Sequence, residues 1–138
     1  MAEESQLPFF GNVDEWVRLW LAQTWRPDVD GRTRIWSAQW WRFPEARARL
    51  EALWLAWEAA RLDTGSGMSA WWVVHADHHL PIITSMDGPF ASCASEPSNH
   101  SRAGTPLACA APEDSVVFPH TEHSGPCLVA GGPEEGEG

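Results

Sequence analysis

The sequence lacks tyrosine and lysine, and it has only three cysteines. Its nine basic residues are therefore all arginines, and 19 acidic residues outnumber them, for a formal net charge of −10. A chain with this charge repels phosphate backbones and anionic lipid surfaces, which disfavours general nucleic-acid binding and membrane docking. Nor does any apolar run approach the roughly 20 residues that a membrane-spanning helix needs.

The first residues also lack the features of a secretion signal. Residues 1–6 include two glutamates, no basic residue and no apolar core, whereas a signal peptide begins basic and continues apolar. We therefore expect a cytoplasmic protein. Because Cys93, Cys109 and Cys127 are odd in number and lie where the hydrophobic pattern is weak, we expect reduced thiols rather than a disulfide framework.

Tryptophan is abundant instead: all ten lie between Trp16 and Trp72. One indole buries on the order of 150–250 Å², so ten could form much of the core of a small domain. The sequence predicts an all-α fold, a small bundle of about three helices with a Trp-rich core. We place this domain at residues 9–92 and expect the acidic remainder, 93–138, to be a largely disordered tail because proline, glycine and serine dominate it.

The first two helices are predicted from caps and apolar spacing. The first runs from Val13 to Trp25, with Asn12 as its N-cap in a capping-box pattern with Glu15. The second begins with Pro44, which suits a first turn, and ends near Leu62. The carboxylates of this second helix, such as those of Glu51 and Glu58, are expected on its solvent side.

The third helix is predicted to start after a Ser69 cap and to end near His79, because Pro81 should terminate it. Residues 82–84 then suggest a short strand. Between the first two helices, residues 35–43 are dense in aromatic side chains, and the pattern does not decide between a short helix and an extended segment.

Five runs carry a resemblance to a known family: WSAQWWRFPEA at 36–46, RLEALWLAWE at 49–58, MSAWW at 68–72, HADHH at 75–79 and DGPF at 87–90. Over roughly residues 14–90 the chain resembles an actinobacterial Trp-rich domain-of-unknown-function family, the one numbered 4913. The resemblance implies a small protein of high-GC genomes and their mobile elements, and it implies no activity. The family pattern has proline where this chain has His78.

Two adjacent Trp pairs are a candidate interaction site. Adjacent residues on a helix point about 100° apart. A narrow buried face of the helix therefore cannot bury both members of a Trp pair. Either the core wraps widely enough to cover them, or an exposed patch binds a protein partner or a second copy. A platform for single-stranded nucleic acid is a third alternative, because arginines lie nearby. The partner-binding candidates are Trp40, Trp41, Arg42, Trp71 and Trp72.

A second candidate site is a zinc centre. His75 and His79 lie one helical turn apart, and two imidazoles with two thiolates satisfy tetrahedral zinc. The candidate ligands are His75, His79, Cys93, His100 and Cys109, although the spacings are long for a zinc finger. The alternative is that the histidines are hydrogen-bonded or cap the helix and that the cysteines are unrelated to them.

No enzyme signature stands out in the sequence. It has neither a Gly-rich phosphate-binding loop followed by lysine nor a Gly-x-Ser-x-Gly motif, so we assign no catalytic residue. The leading hypothesis is a small adapter or accessory module that binds a protein partner or forms a homo-oligomer. A zinc-stabilised His/Cys module, a metal-dependent enzyme and a single-stranded nucleic-acid binder are the alternatives.

Overall fold

The computed structural model describes residues 7–126. Within this range the chain forms three helices: α1 at residues 13–24, α2 at Pro44–Ala60 and α3 at residues 67–83. The predicted all-α architecture is confirmed, and the described residues contain no strand, although Val29 and Ser101 form an isolated bridge. None of the described helices is both long enough and apolar enough to span a bilayer.

Helix α1 begins where the sequence predicts. The side chain of Asn12 accepts a hydrogen bond from the amide of Glu15 at 2.9 Å and so caps the first turn. An α-helical turn at Val13–Trp16 is followed by a π-helical segment at Val17–Leu21 and a last α-helical turn at Ala22–Thr24. The helix ends one residue earlier than predicted.

Helix α2 buries the predicted stripe but places one acidic residue differently. Pro44 occupies its first turn, and Leu50 and Leu53 are fully buried. Glu51 is exposed as expected, whereas Glu58 is 9% exposed, so its predicted position on the solvent side is wrong. Glu58 is buried because the segment before α1 folds over it and binds its carboxylate through the amides of Phe9 and Phe10.

Helix α3 continues past the proline that was expected to end it. It consists of Gly67–Ala70, a π-helical segment at Trp71–Ala76 and Asp77–Ile83, with Pro81 inside the last part. The predicted Ser69 cap and the strand at residues 82–84 are therefore wrong. Proline inside a helix costs ~3 kcal/mol, but burial of Leu80 and Ile83 on either side of it recovers a comparable amount at about 1.5–3 kcal/mol each.

The aromatic segment before α2 is extended and then turns once. The amide of Ile35 donates to the carbonyl of Thr84 at 2.8 Å, which ties this segment to the end of α3. A single 3-10 turn follows at Trp40–Arg42. Residues 35–43 thus contain both conformations that the sequence left open, first an extended segment and then a short helical turn.

The Trp-rich core is confirmed. Trp16, Trp36, Trp40 and Trp71 are fully buried. Trp16 lies with its ring centroid 6.1 Å from that of Trp71, edge to face, which is a preferred geometry for aromatic pairs. This contact joins α1 to α3 inside the bundle.

Residues 93–126 differ from the expected disordered tail. They are irregular but lie along the helices, with Leu107 only 4% exposed. The indole nitrogen of Trp36 donates to the carbonyl of Ala108 at 2.7 Å, and that of Trp41 donates to Ala110 at 3.2 Å. Because indoles of the core bind its backbone, this segment packs as part of the domain beyond the predicted boundary at residue 92. The expected disorder of residues 127–138, and Cys127, lie outside the described residues.

Candidate functional site

Three of the four tryptophans proposed for an exposed patch are buried. Trp40, Trp41 and Trp71 are 0%, 4% and 1% exposed, so the expectation that they form a surface patch is wrong. The physical reason differs between them. Trp71 faces α2, where its indole nitrogen donates to the carbonyl of Leu53 at 3.0 Å, whereas Trp41 is covered by the irregular segment 93–126.

The other two patch residues lie nearer the surface but belong to different contacts. Trp72 is half-buried, with its ring centroid 6.1 Å from that of Trp20 on α1. Arg42 is exposed, lies over the ring of Trp41 at 5.5 Å and forms an ion pair with Glu113. The core therefore wraps widely enough to take both Trp pairs, which was the alternative interpretation of the sequence.

The five predicted metal ligands are not brought together. Among the described residues, none of them belongs to a group of three histidine, cysteine or carboxylate ligand atoms that all lie within 4.8 Å of one another. His79 Nδ1 lies 3.0 Å from the guanidinium of Arg49. Burial, together with the charge of Arg49, lowers the pKa of His79, and a neighbouring cation also opposes a bound metal ion.

His75 lies on α3, as His79 does, and the other three predicted ligands lie in the irregular segment. Nε2 of His100 lies 2.8 Å from the carbonyl oxygen of Ala94. Cys93 and Cys109 line one cavity of about 610 Å³ beside Asn99. Burial raises the pKa of the Cys109 thiol to about 12, so near neutral pH this sulfur is a protonated thiol rather than the thiolate that zinc binds.

A different surface stands out on the outer side of α2. Along this helix and the turn after it, apolar residues recur at alternating intervals of four and three positions, and every one of them is exposed: Ala48, Ala52, Leu55, Ala59 and Leu62. We call these five residues the outer seam. Leu55 is 55% exposed and Leu62 is 48% exposed. Intervals of four and three are those by which two helices interlock side chains in a coiled coil.

The outer seam makes α2 apolar on two sides. Its inner side packs into the Trp-rich core through residues such as Leu50 and Trp57. A contiguous exposed apolar row on a protein surface commonly marks an interaction site. The outer seam therefore has the composition of a covered surface, although nothing covers it within the described chain. This four-three spacing is already present in the sequence.

The exposed apolar surface continues onto α3. Val73 and Val74 are 68% and 59% exposed. Val74 also lines a groove of about 270 Å³ between α2 and α3, whose other walls include Ala56, Ala59 and Ala70. Small side chains along such a groove permit close approach of another helix.

Two opposite charges lie at the two ends of the outer seam. Arg49 is near its start and donates to Glu45 at 2.9 Å. Asp63 is exposed just after its end and accepts a hydrogen bond from the amide of Gly65 at 3.0 Å. Arg49 and Asp63 are separated by two full four-three repeats along the helix and the turn after it. Both therefore lie on the same side of the seam, which is the side that faces α3. On the side that faces α3, the seam is thus apolar along its middle and carries a positive and a negative end.

The sequence comparison assigns the family. The model of a domain of unknown function, DUF4913, matches residues 10–113. The chain belongs to this family. No curated protein matches the chain, and no solved structure does.

The DUF4913 match clarifies the extent of the domain. It covers all three helices and the outer seam, and it extends through Leu107 and the two carbonyls that Trp36 and Trp41 bind. The matched region therefore includes the first part of the irregular segment, in agreement with the packing.

Proposed function

We propose that this DUF4913 protein is a protein-interaction module whose outer seam binds a second copy of the same chain. The observation that carries the proposal is the exposed four-three repeat of alanine and leucine on a helix that is already buried on its other side. Exposed leucines in such a row favour association because burial of apolar area is the main driving force of interfaces.

The pattern of side-chain sizes favours an antiparallel pairing of two α2 helices. In one antiparallel register, Leu55 of each copy lies opposite Ala59 of the other, and Ala52 lies opposite Leu62. Each of these layers places a large side chain against a small one, which fills space evenly. The alanines bring the two helices close together, near the short end of the usual 8–10 Å between helix axes.

The charges at the ends of the seam agree with the same pairing. In this register Arg49 of each copy lies opposite Asp63 of the other. Both residues occupy the same position of the four-three repeat, and in antiparallel coiled coils residues at this position face the same position of the partner helix. The chain carries a net charge of −10, so two copies repel at long range. A local arginine–aspartate pair at each end offsets part of that repulsion and specifies the orientation.

The experiment is sedimentation velocity of the full chain across a wide concentration range. Leu55→Glu places a charge in the middle of the seam, and we expect it to weaken self-association by about 2 kcal/mol or more, roughly thirty-fold. Met86→Glu is the matched control, because Met86 is 50% exposed but lies away from α2. A monomeric wild-type chain at all concentrations would refute the proposal, as would an equal effect of both substitutions.

A further inference from the structure

A second cluster of chemically active side chains lies at the start of α1, away from the outer seam. Glu15 is 3% exposed, and two histidines of the irregular segment approach its carboxylate. His120 Nε2 lies 3.1 Å from one oxygen, and His123 Nε2 lies 3.9 Å from the other. Among the described residues this is the one group of three such side chains whose ligand atoms all lie within 4.8 Å of one another.

We propose that Glu15, His120 and His123 bind a divalent transition metal ion, with zinc as the physiological choice. Two imidazoles and one carboxylate are a ligand set that zinc uses, at about 2.0–2.2 Å from each atom. Tetrahedral ligands at that radius are about 3.3 Å apart, close to the 3.1 Å and 3.9 Å that separate the two histidine nitrogens from the oxygens of Glu15. Small movements of the exposed His120 complete the site.

The surroundings orient the histidines for this role. Nδ1 of His123 lies 2.9 Å from the carbonyl oxygen of Thr121. The neutral ring that donates its Nδ1 proton to this carbonyl carries its lone pair on Nε2, which is the atom that faces Glu15. A backbone carbonyl that accepts from the far nitrogen is the usual support of a histidine that binds metal.

Gly11 makes room for the second histidine. A Cβ atom at this position would collide with Nε2 of His120. The amide of Gly11 also donates to Glu15 Oε1 at 3.2 Å, and its carbonyl accepts from the amide of Thr121 at 3.0 Å. One residue without a side chain thus lets the imidazole reach the carboxylate and holds the backbone on both sides of the cluster.

Charge supplies the physical reason for a cation here. A buried carboxylate is costly unless a positive charge compensates it. A divalent ion held between Glu15 and the two imidazoles supplies positive charge beside the carboxylate. The ion joins the amino-terminal segment and α1 to residues 119–126, which otherwise depend on a few backbone hydrogen bonds such as that from Gly125 to Phe9 at 2.7 Å. Its role in this proposal is to fasten the irregular segment.

The test is calorimetric titration of the tag-free full chain with zinc sulfate after treatment with a chelator. We expect one zinc ion per chain and at least tenfold weaker binding in His120→Ala and in His123→Ala. His75→Ala is the matched control and should bind zinc as the wild type does. Circular dichroism checks that each variant remains helical, and His120, which is the most exposed ligand, is the safest position to change.

Hydrogen exchange provides the second readout. Zinc should slow exchange of the amides in residues 119–126 of the wild type and leave them unchanged in His120→Ala. Absence of zinc binding would overturn the proposal and leave a direct histidine–glutamate contact in its place. Binding that survives in both histidine variants, or that is lost in His75→Ala, would overturn it too.

Discussion

Glu58 accepts a hydrogen bond from the indole nitrogen of Trp54, one turn earlier on α2, at 2.8 Å. The same carboxylate accepts from the amides of Phe9 and Phe10 and from the guanidinium of Arg61. Four donors from three parts of the chain thus meet on one nearly buried carboxylate, which fastens the segment before α1 to the helix that carries the outer seam.

Removal of this carboxylate should destabilise the fold strongly. Glu58→Ala leaves buried donors without an acceptor and Arg61 without its carboxylate partner, so we expect a loss of about 3–5 kcal/mol in the free energy of unfolding. Glu58→Gln keeps an acceptor oxygen and should lose less. Urea unfolding followed by tryptophan fluorescence measures both. Glu51→Ala, on the exposed side of the same helix, should change stability by less than about 0.5 kcal/mol; equal effects at the two positions would contradict this role of Glu58.

Trp36 tests whether the irregular segment packs on the core. Trp36→Phe removes the donor to the Ala108 carbonyl, and we expect a loss of about 1–3 kcal/mol and faster hydrogen exchange around residue 108. Trp16→Phe is the control, since the indole nitrogen of Trp16 has no hydrogen-bond partner among the described residues. It should leave exchange around residue 108 unchanged. Comparable acceleration in both variants would show that the segment does not depend on the indole bond.

The pKa of His79 predicts how stability changes with pH. Burial, and then the charges of Arg49, His78 and His75, lower its pKa in the folded chain below the ordinary value of about 6.5. As pH falls below that value, the unfolded chain takes up the proton first, so the free energy of unfolding decreases. His79→Gln should flatten this dependence. His78→Gln should retain most of it, because burial of His79 remains, and a dependence unaltered in His79→Gln would contradict the assignment.

Cys109 should react slowly in the folded protein. Burial raises the pKa of its thiol to about 12, and alkylation requires the thiolate. Iodoacetamide labelling near neutral pH, read by peptide mass spectrometry, should modify Cys109 much faster in urea than in buffer. Equal rates in the two conditions would mean that the irregular segment does not cover this sulfur.

Local sequence signals predicted the parts of the fold that depend on neighbours in the chain. The Asn12 cap, the start of α2 at Pro44 and the presence of a Trp-rich core all follow from short-range patterns and from residue size. The end of α3 did not follow, because Pro81 is tolerated only where residues on both sides of it are buried by the rest of the chain.

Features that depend on distant contacts could not be predicted from the pattern. Glu58 was expected in solvent because its neighbours on α2 do not show that Phe9 and Phe10 will fold over it. The cluster of Glu15 with His120 joins residues 105 positions apart, and no spacing rule connects them. The outer seam is the opposite case, since its four-three repeat lies within one helix and was available from the sequence.

The most direct test of self-association through the outer seam is a charge exchange at its ends, read by sedimentation equilibrium. Asp63→Arg and Arg49→Asp should each weaken the dimer, since each places like charges opposite one another in the antiparallel pairing. The double variant restores opposite charges and should recover most of the affinity, even though Arg49→Asp also removes the contacts with Glu45 and His79. Additive weakening in the double variant would contradict the antiparallel pairing of the two α2 helices.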